Sequence, residues 1–205
     1  MQQYYFFILL GYLSGSILFA RLIPKYLYGI DICEVSDDGN PGTFNAFRHA
    51  GVRAGILILC LELAKGFFPV HFALRILNPA NHLFAFVLAA PVIGHAFPFL
   101  HPREGGKSIA VSFGCLLGLY PHLQPVITLV VFYLLFSLVI IIEPHMARSI
   151  VTYVCLSAAA FHSFEPRSVV FGTLILSAVV IIRHVTKSEK TEREPVSIRL
   201  PRRNR

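Results

Sequence analysis

The sequence predicts an all-α integral membrane protein, a helical bundle of about seven transmembrane spans. Three observations predict this fold: apolar runs are long and numerous, charged residues make up only 14% of the chain, and Lys and Arg gather on one side of the predicted topology. A soluble domain carries about 25% charged residues, whereas a spanning helix needs a run of about 20 apolar residues. These features argue against a soluble domain with one large core.

The spans follow one another without a long linker or an internal repeat. We therefore expect one membrane-embedded domain over residues 1–186 and a basic cytoplasmic tail over residues 187–205. No Lys or Arg precedes Arg21, so the first apolar run lacks the basic start of a signal peptide and is predicted to remain as a span. The fourth and sixth spans are short for a bilayer. The predicted spans are Tyr4–Leu27, Ala54–Leu77, His82–Leu100, Ser108–Tyr120, Val126–Ile142, Ser149–Phe161 and Ser168–His184.

The distribution of Lys and Arg predicts an N-terminus outside and a C-terminus in the cytoplasm. In that orientation Arg75 and Arg167 stay outside, and eight Lys or Arg between Arg183 and Arg205 lie in the cytoplasm. Because no folded nucleic-acid-binding domain accompanies this tail, we expect it to face membrane lipid and expect no nucleic-acid partner. The other cytoplasmic loops hold Arg48, Arg53, Arg103, Lys107 and Arg148.

A glycine-containing polar loop follows the first span. This first loop, residues 37–48, reads Asp-Asp-Gly-Asn-Pro-Gly-Thr-Phe-Asn-Ala-Phe-Arg. Gly39 and Gly42 permit a close approach of the backbone to an anion. Asn40 and Asn45 offer amide groups, and Arg48 offers a planar fork for two phosphate oxygens. An ordinary solvated turn explains these residues equally well.

A second glycine-containing loop, residues 103–108, follows the third span on the same predicted side. Gly105 and Gly106 precede Lys107, and the fourth span is predicted to begin at Ser108. A helix N-terminus with a neighbouring cation is a ready site for a phosphate. A charged hairpin that marks the cytoplasmic side is the alternative. The GxxxxGK spacing of a Walker A loop is absent.

Ionisable residues also fall inside the predicted spans. Glu62 and Lys65 lie three residues apart on one helix face and could pair or contact a substrate. His95 lies near the cytoplasmic end of the third span, where a packed histidine and a substrate contact are both possible. In the first span, small residues predict close helix packing: Gly11, Ser14, Gly15 and Ser16.

No metal or cofactor site is predicted. The nine His are scattered, and the four Cys lack paired spacing. We therefore expect the cysteines to be small buried hydrophobic residues. The sequence also lacks a His–Asp acyltransferase motif, a GxSxG elbow and an HExxH motif.

Taken together, these segments resemble the PlsY-type family, the bacterial membrane acyl-phosphate:glycerol-3-phosphate acyltransferases. The family motifs Gly-Ser-Ile-Pro, Gly-Ile-Asp-Ile-Arg and Gly-Ser-Gly-Asn-x-Gly-Ala-Thr-Asn-x-x-Arg are echoed at residues 15–18, 29–33 and 37–48. Asp-x-x-Lys-Gly corresponds to residues 62–66, Gly-His-x-x-Pro to residues 94–98, and Gly-Gly-Lys-Gly to residues 105–108. The resemblance covers about half of the chain.

The resemblance implies acyl transfer from acyl phosphate to the 1-hydroxyl of glycerol 3-phosphate, giving lysophosphatidate for phospholipid synthesis. It further implies a multi-pass protein of the bacterial inner membrane whose active face is cytoplasmic. No cofactor is expected. The catalytic residues would be Lys107, Arg48 and Asn45. The substrate-binding residues would be Ser16, Gly39, Asn40, Gly42, Thr43, Lys65, His95, Gly105, Gly106 and Ser108.

The chain departs from the family pattern in two places. Val180 occupies the Asn position of a C-terminal His-x-x-Asn motif whose His is missing, and Asp38 replaces a Ser in the first loop. The Asp38 carboxylate is expected to weaken anion binding. A non-catalytic or altered-specificity paralogue that binds a phosphorylated lipid or acceptor is therefore an alternative. A small-anion transporter is a further alternative, although no inverted repeat is visible.

Overall fold

The computed structural model describes residues 1–187 and 195–200, so residues 188–194 and 201–205 of the predicted tail lie outside the described residues. The described chain is mostly helical. Its elements, in chain order, are α1 (Gln2–Ser16), α2 (Phe19–Tyr28), α3 (Ile32–Val35), α4 (Thr43–Ala50), α5 (Val52–Ile76), α6 (Phe84–Ala96), α7 (Ile109–Leu117), α8 (Gln124–Leu134) with a π-helical turn at Leu135–Val139, β1 (Ile141–Glu143), α9 (His145–Ser163), α10 (Arg167–Thr186) and β2 (Ser197–Arg199).

Two helices of the described residues, α5 and α10, are long and apolar enough to cross a bilayer by themselves. The pair α1 and α2 also qualifies if it is taken as one span with a bend of 40°. The helices α6 and α8, the latter with its π-helical turn, are apolar but shorter. The structure thus supports two or three spans by length and composition, and the number seven and the orientation of the termini stay predictions.

The predicted first span is broken rather than continuous. Ile17 has an extended backbone between α1 and α2, so its carbonyl is not part of the hydrogen-bond pattern of either helix. Lys65 of α5 donates to this carbonyl at 2.6 Å and thereby satisfies a polar group that the break exposes. Ser16 at the break donates to the Tyr12 carbonyl at 2.8 Å. The break therefore brings a charged side chain of α5 to the end of α1.

Close backbone contacts join α1 to α6. A Cβ atom on Gly15 would overlap the Pro91 carbonyl, and one on Gly94 would overlap the Tyr12 carbonyl. Gly11 lies against Ala90 in the same seam. The predicted packing role of Gly11 and Gly15 is thus confirmed. Gly66 and Gly114 join α5 and α7 in the same way, each against a backbone carbonyl of the other helix.

A short antiparallel sheet corrects the all-α prediction. β1 pairs with β2, with Ile141 opposite Arg199, Ile142 opposite Ile198 and Glu143 opposite Ser197. The apolar run predicted as the span Val126–Ile142 therefore ends in a strand, and β2 lies in the predicted tail. Apolar composition alone does not separate a helix from a short strand.

The cysteine prediction is correct for Cys115 and wrong for Cys60. Cys115 is fully buried between α5 and α7, whereas the Cys60 side chain is exposed on α5. Cys33 and Cys155 are partly buried.

Candidate functional site

A cavity of about 1120 Å³ opens between the two glycine loops, α5, α7, α8 and the sheet. Its polar end is formed by both loops, and its apolar wall by α5, α7 and α8. A further charged wall is formed by β1, β2 and the start of α9. The polar end holds Asp38, Asn40, Thr43, Asn45, Glu62, His95, Lys107 and Ser108; the apolar wall holds Leu59, Leu63, Ile109, Ala110, Phe113, Leu117 and Val126; the charged wall holds Glu143, His145, Arg148, Ser197 and Arg199.

An ion pair joins the two loops. The ammonium group of Lys107, in the second loop, lies 3.1 Å from the Asp38 carboxylate of the first loop. Both side chains are buried, with 8% and 2% of their surface exposed. The two loops therefore converge, and Lys107 lies on the cavity wall. Asp38, which was expected only to weaken anion binding, instead connects the loops.

Asp38 also organises the first loop. Its Oδ1 atom accepts from the Asn45 amide at 2.9 Å and from the Asn40 backbone N–H at 3.1 Å. The Asn45 amide donates in addition to the Asn40 carbonyl at 2.9 Å. Gly39 has φ +59°, the left-handed conformation that glycine adopts without strain. The loop is thus a fixed polar surface rather than a solvated turn.

The start of α4 faces the same cavity. Gly42 is the residue before the helix, and a Cβ atom there would approach the Asn40 amide nitrogen to 2.6 Å. Thr43 is the first residue of α4 and lines the cavity. The Asn40 Oδ1 atom is buried without a hydrogen-bond partner among the described residues. A hydroxyl or amide donor of a ligand would satisfy it.

The glycines of the second loop have a role that the sequence did not predict. The Gly106 N–H donates to the His95 carbonyl at 3.0 Å, so it does not point at the cavity as a free anion donor. A Cβ atom on Gly106 would overlap the His95 ring, and one on Gly105 would overlap the Ala96 carbonyl. These glycines therefore let the loop pack on the end of α6.

Arg183 of α10 holds this loop from the other side. Its guanidinium group donates to the carbonyls of Gly105 and Gly106, the latter at 3.3 Å, and lies 5.3 Å from the centre of the Phe97 ring. Arg183 was counted among the cytoplasmic charges but was not predicted as a site residue. It lies at the end of an apolar run, where a cation commonly marks the cytoplasmic end of a transmembrane span, so its position in the sequence does not indicate a site.

Ser108 has a strained backbone. Its φ of +63° is left-handed, and it lies just before α7, which begins at Ile109 rather than at Ser108 as predicted. The family pattern has Gly at this position, where a left-handed backbone carries no steric cost. The Ser108 hydroxyl donates to the Val92 carbonyl at 3.2 Å. Lys107 is thereby held between two anchored residues.

A buried cluster of ionisable side chains adjoins the cavity and consists of Glu62, Lys65 and His95. The Lys65 ammonium group is 2.7 Å from Glu62 and 2.8 Å from His95 Nδ1, and His95 Nδ1 is 3.2 Å from Glu62. All three side chains have 5% or less of their surface exposed. Glu62 and His95 line the cavity, whereas Lys65 turns to the break at Ile17. The group therefore supports the site from within the bundle.

Gly39, Lys65, Gly105 and Gly106 do not line the cavity, and two further predicted residues, Arg48 and Ser16, also lie off it. Arg48 is 57% exposed and pairs with Asp37 at 3.2 Å. Ser16 accepts from the Phe99 N–H at 3.2 Å and donates within α1, so its polar atom serves the chain itself. The structure does not bring either residue together with Lys107 and Asn45.

A separate charged cluster stabilises the approach to the first loop. Arg21 of α2 pairs with Glu104 of the second loop and lies 3.9 Å from Asp31. The hydrogen bond from Lys25 to Asp31, 2.8 Å long, lowers the pKa of the Asp31 carboxyl below its usual value. Asp31 also accepts from the Cys33 N–H at the start of α3. These contacts join α2 to the second loop and to the start of α3.

The charged wall was the other feature that sequence reasoning missed. Arg148 lines the cavity and donates to the Ile142 carbonyl at 3.0 Å, and Arg199 lies 3.5 Å from Glu143. Arg148 was noted as a cytoplasmic charge, but nothing in the sequence signals that β2 returns to β1. The pairing of distant strands is a tertiary contact without a local sequence signal.

The chain matches the family model described as glycerol-3-phosphate acyltransferase over residues 5–193. It is 33% identical to the glycerol-3-phosphate acyltransferase of Thermotoga petrophila, over 88% of this chain and 89% of that protein. It is 40% identical to the enzyme of the same name from Myxococcus xanthus over a shorter stretch, 56% of this chain and 59% of that protein. Its structure is similar to that of PlsY, an integral membrane glycerol 3-phosphate acyltransferase crystallised in its glycerol 3-phosphate form, with a TM-score of 0.78, 28% identity, and coverage of 90% of this chain and 89% of that one.

Proposed function

Because this chain belongs to the glycerol-3-phosphate acyltransferase family, we propose that it transfers an acyl group from acyl phosphate to the 1-hydroxyl of glycerol 3-phosphate, releasing lysophosphatidate and phosphate. The observation that carries the proposal is the position of Lys107. This buried cation lies where the polar end of the cavity meets its apolar wall. A donor with a phosphate at one end and an acyl chain at the other needs such a boundary.

The apolar wall provides for the acyl chain. Leu63, Phe113 and Leu117 are among its side chains, and they come from two helices that pack closely through Gly66 and Gly114. Each CH₂ group that leaves water for such a surface contributes about 0.8 kcal/mol. A long chain is therefore held mainly by burial, and the polar end has to orient only the reacting groups.

The reaction requires little covalent chemistry from the protein. The acceptor hydroxyl oxygen attacks the carbonyl carbon of the acyl phosphate, and the bond from that carbon to the phosphate oxygen breaks. The hydroxyl proton passes to the departing phosphate, so atoms and charge balance without a protein base. Lys107 would neutralise the phosphate as charge develops on it. Asn45, whose two amide N–H groups bond Asp38 and the Asn40 carbonyl, would hold the Asp38 carboxylate in place beside Lys107. Positioning and charge stabilisation of this kind supply several kcal/mol of barrier lowering.

We further propose that the protein lies in the bacterial inner membrane with the polar end of the cavity at the cytoplasmic surface. Both loops lie at this end, with the cations Arg21, Lys25 and Lys107. Cytoplasmic loops carry such an excess of Lys and Arg. Glycerol 3-phosphate would then enter from the cytoplasm and the acyl chain from the inner leaflet.

The test is a transferase assay with purified protein, palmitoyl phosphate and glycerol 3-phosphate, in which lysophosphatidate and phosphate are both measured. The expected result is equal release of the two products from palmitoyl phosphate and none from acyl-CoA or acyl carrier protein. Turnover with either alternative donor, and not with palmitoyl phosphate, would refute the proposed donor.

Binding without turnover is the second candidate. Two observations favour it: Val180 stands where the family has Asn, and Lys107 is already paired with Asp38. A chain of this kind would bind a phosphorylated lipid but release no phosphate in the same assay. Tight binding of lysophosphatidate together with no turnover would identify it.

A further inference from the structure

The sheet turns one of its faces to the cavity. Side chains alternate along a strand, so Glu143, Ser197 and Arg199 point to the same side, and all three line the cavity. Ile142 points to the opposite side, where it is buried against Phe136 and Ala147. The register of two strands therefore places Arg199, from near the end of the chain, on the cavity wall.

The same wall carries further positive charge. Arg148 lies on it with its Nε–H bonded to the Ile142 carbonyl, which fixes the guanidinium plane. His145 is the first residue of α9, a helix of 19 residues whose N-terminus has no side-chain cap. Partial positive charge from the helix adds to that of the two arginines. The one carboxylate among the described residues of this wall belongs to Glu143.

The Glu143–Arg199 pair is weak. Its atoms are 3.5 Å apart, and the two side chains are 49% and 69% exposed. Exposed pairs of this kind add little to stability. A phosphate dianion offers an arginine two oxygens and a higher charge, so it would displace the Glu143 carboxylate readily.

We propose that Arg199 binds the phosphate of the acceptor and that Glu143 occupies its guanidinium group until the acceptor arrives. The inference rests on the proposed function, because it requires two phosphate-bearing substrates in one cavity. Two phosphates on one cation would repel each other. Lys107 adjoins the apolar wall and therefore takes the donor, which leaves the charged wall to glycerol 3-phosphate. The C-terminal strand is thus a specificity element for the acceptor.

Steady-state kinetics on the full chain test this assignment. The variant Arg199→Gln is expected to raise the KM for glycerol 3-phosphate about tenfold, which is the loss of one charge-assisted hydrogen bond. Its kcat and its KM for palmitoyl phosphate should stay within about twofold of wild type. Glu143→Gln should change the acceptor KM in the opposite direction, because the competing carboxylate is gone. Arg199→Lys should retain part of the affinity.

Two controls separate charge from strand structure. Arg53→Gln removes an exposed cation that does not line the cavity. Ile198→Thr alters the outward face of the same strand, where 67% of the side chain is exposed, and keeps a β-branched residue. Neither control should change the acceptor KM.

Calorimetric titration with glycerol 3-phosphate, compared with glycerol, tests the same inference without turnover. Weaker binding of glycerol 3-phosphate to Arg199→Gln than to wild type supports it. Equal binding by the two proteins, no binding by wild type, or a change in the donor KM alone would overturn it. An absence of turnover in wild type that still binds glycerol 3-phosphate through Arg199 would refute the proposed reaction and leave the acceptor site standing.

Discussion

Replacement of Lys107 by Met separates the structural and chemical roles of the central ion pair. Met fills a similar volume but carries no charge, so the Asp38 carboxylate would stay buried without the Lys107 ammonium group and keep its hydrogen bonds to Asn45 and the Asn40 backbone. We expect the variant to be less stable than wild type and to have no measurable transferase activity. The double variant Lys107→Met/Asp38→Asn then removes both charges and retains an oxygen that can accept from Asn45.

The size of the effect follows from the geometry. At the observed 3.1 Å and an effective dielectric constant of about 20, the attraction between the two charges is about 5 kcal/mol. Removal of one partner of a buried pair costs roughly 3–5 kcal/mol, whereas replacement of both partners by neutral groups is often close to neutral. We therefore expect the double variant to regain most of the stability that the single variant loses. Its activity should stay absent, because the phosphate has still lost its cation.

The assay is thermal unfolding in one detergent, followed by circular dichroism, in parallel with phosphate release from palmitoyl phosphate. Asp38→Asn alone is the matched control, since it keeps Lys107 and removes the competing carboxylate. Wild-type turnover in the double variant would show that Lys107 is a structural residue only. An unfolding midpoint of Lys107→Met equal to that of wild type would refute the burial argument.

Three further predictions concern the surroundings of the site. Glu62→Gln should destabilise the protein by roughly 3–5 kcal/mol, because Lys65 is left without its buried counterion; an unchanged unfolding midpoint contradicts this. Ser108→Gly should raise or preserve the midpoint, since relief of a left-handed non-glycine residue is worth about 1 kcal/mol, while Ser108→Ala, which keeps the strain and loses a hydrogen bond, should lower it. Arg48→Ala should leave stability within about 0.5 kcal/mol of wild type, because its pair with Asp37 is exposed, and a drop in kcat/KM of a hundredfold at that stability would restore the predicted catalytic role.

The long helices could be predicted closely from the sequence. The predicted spans Ala54–Leu77 and Ser168–His184 differ by one or two residues from α5 and α10 at each end. Long apolar runs bounded by polar residues leave little freedom in where a helix begins and ends. The break at Ile17 was not predictable in the same way, because it depends on a hydrogen bond from Lys65, 48 residues away.

The candidate site was predictable in part. The convergence of the loops around Asn45 and Lys107 followed from their shared side of the topology and is seen in the structure. The packing role of Gly105 and Gly106 was not predictable, because glycines that bind an anion and glycines that pack on a neighbouring helix look alike in sequence. Arg199 was not predicted as a site residue because its strand pairs with a strand far earlier in the chain, where Ile141 lies opposite Arg199.

The pairing of Glu62 with Lys65 bears on how the protein is made. Opposite charges three residues apart on one helix neutralise each other before any other segment has docked, so the middle of α5 can leave the translocon without a net charge. Ile17 is synthesised before α5 and His95 after it. The Lys65 ammonium group of the nascent helix can therefore contact the Ile17 carbonyl first and the His95 imidazole later. Biosynthesis therefore never has to insert an isolated charge at this depth, and assembly can proceed in the order in which the chain emerges.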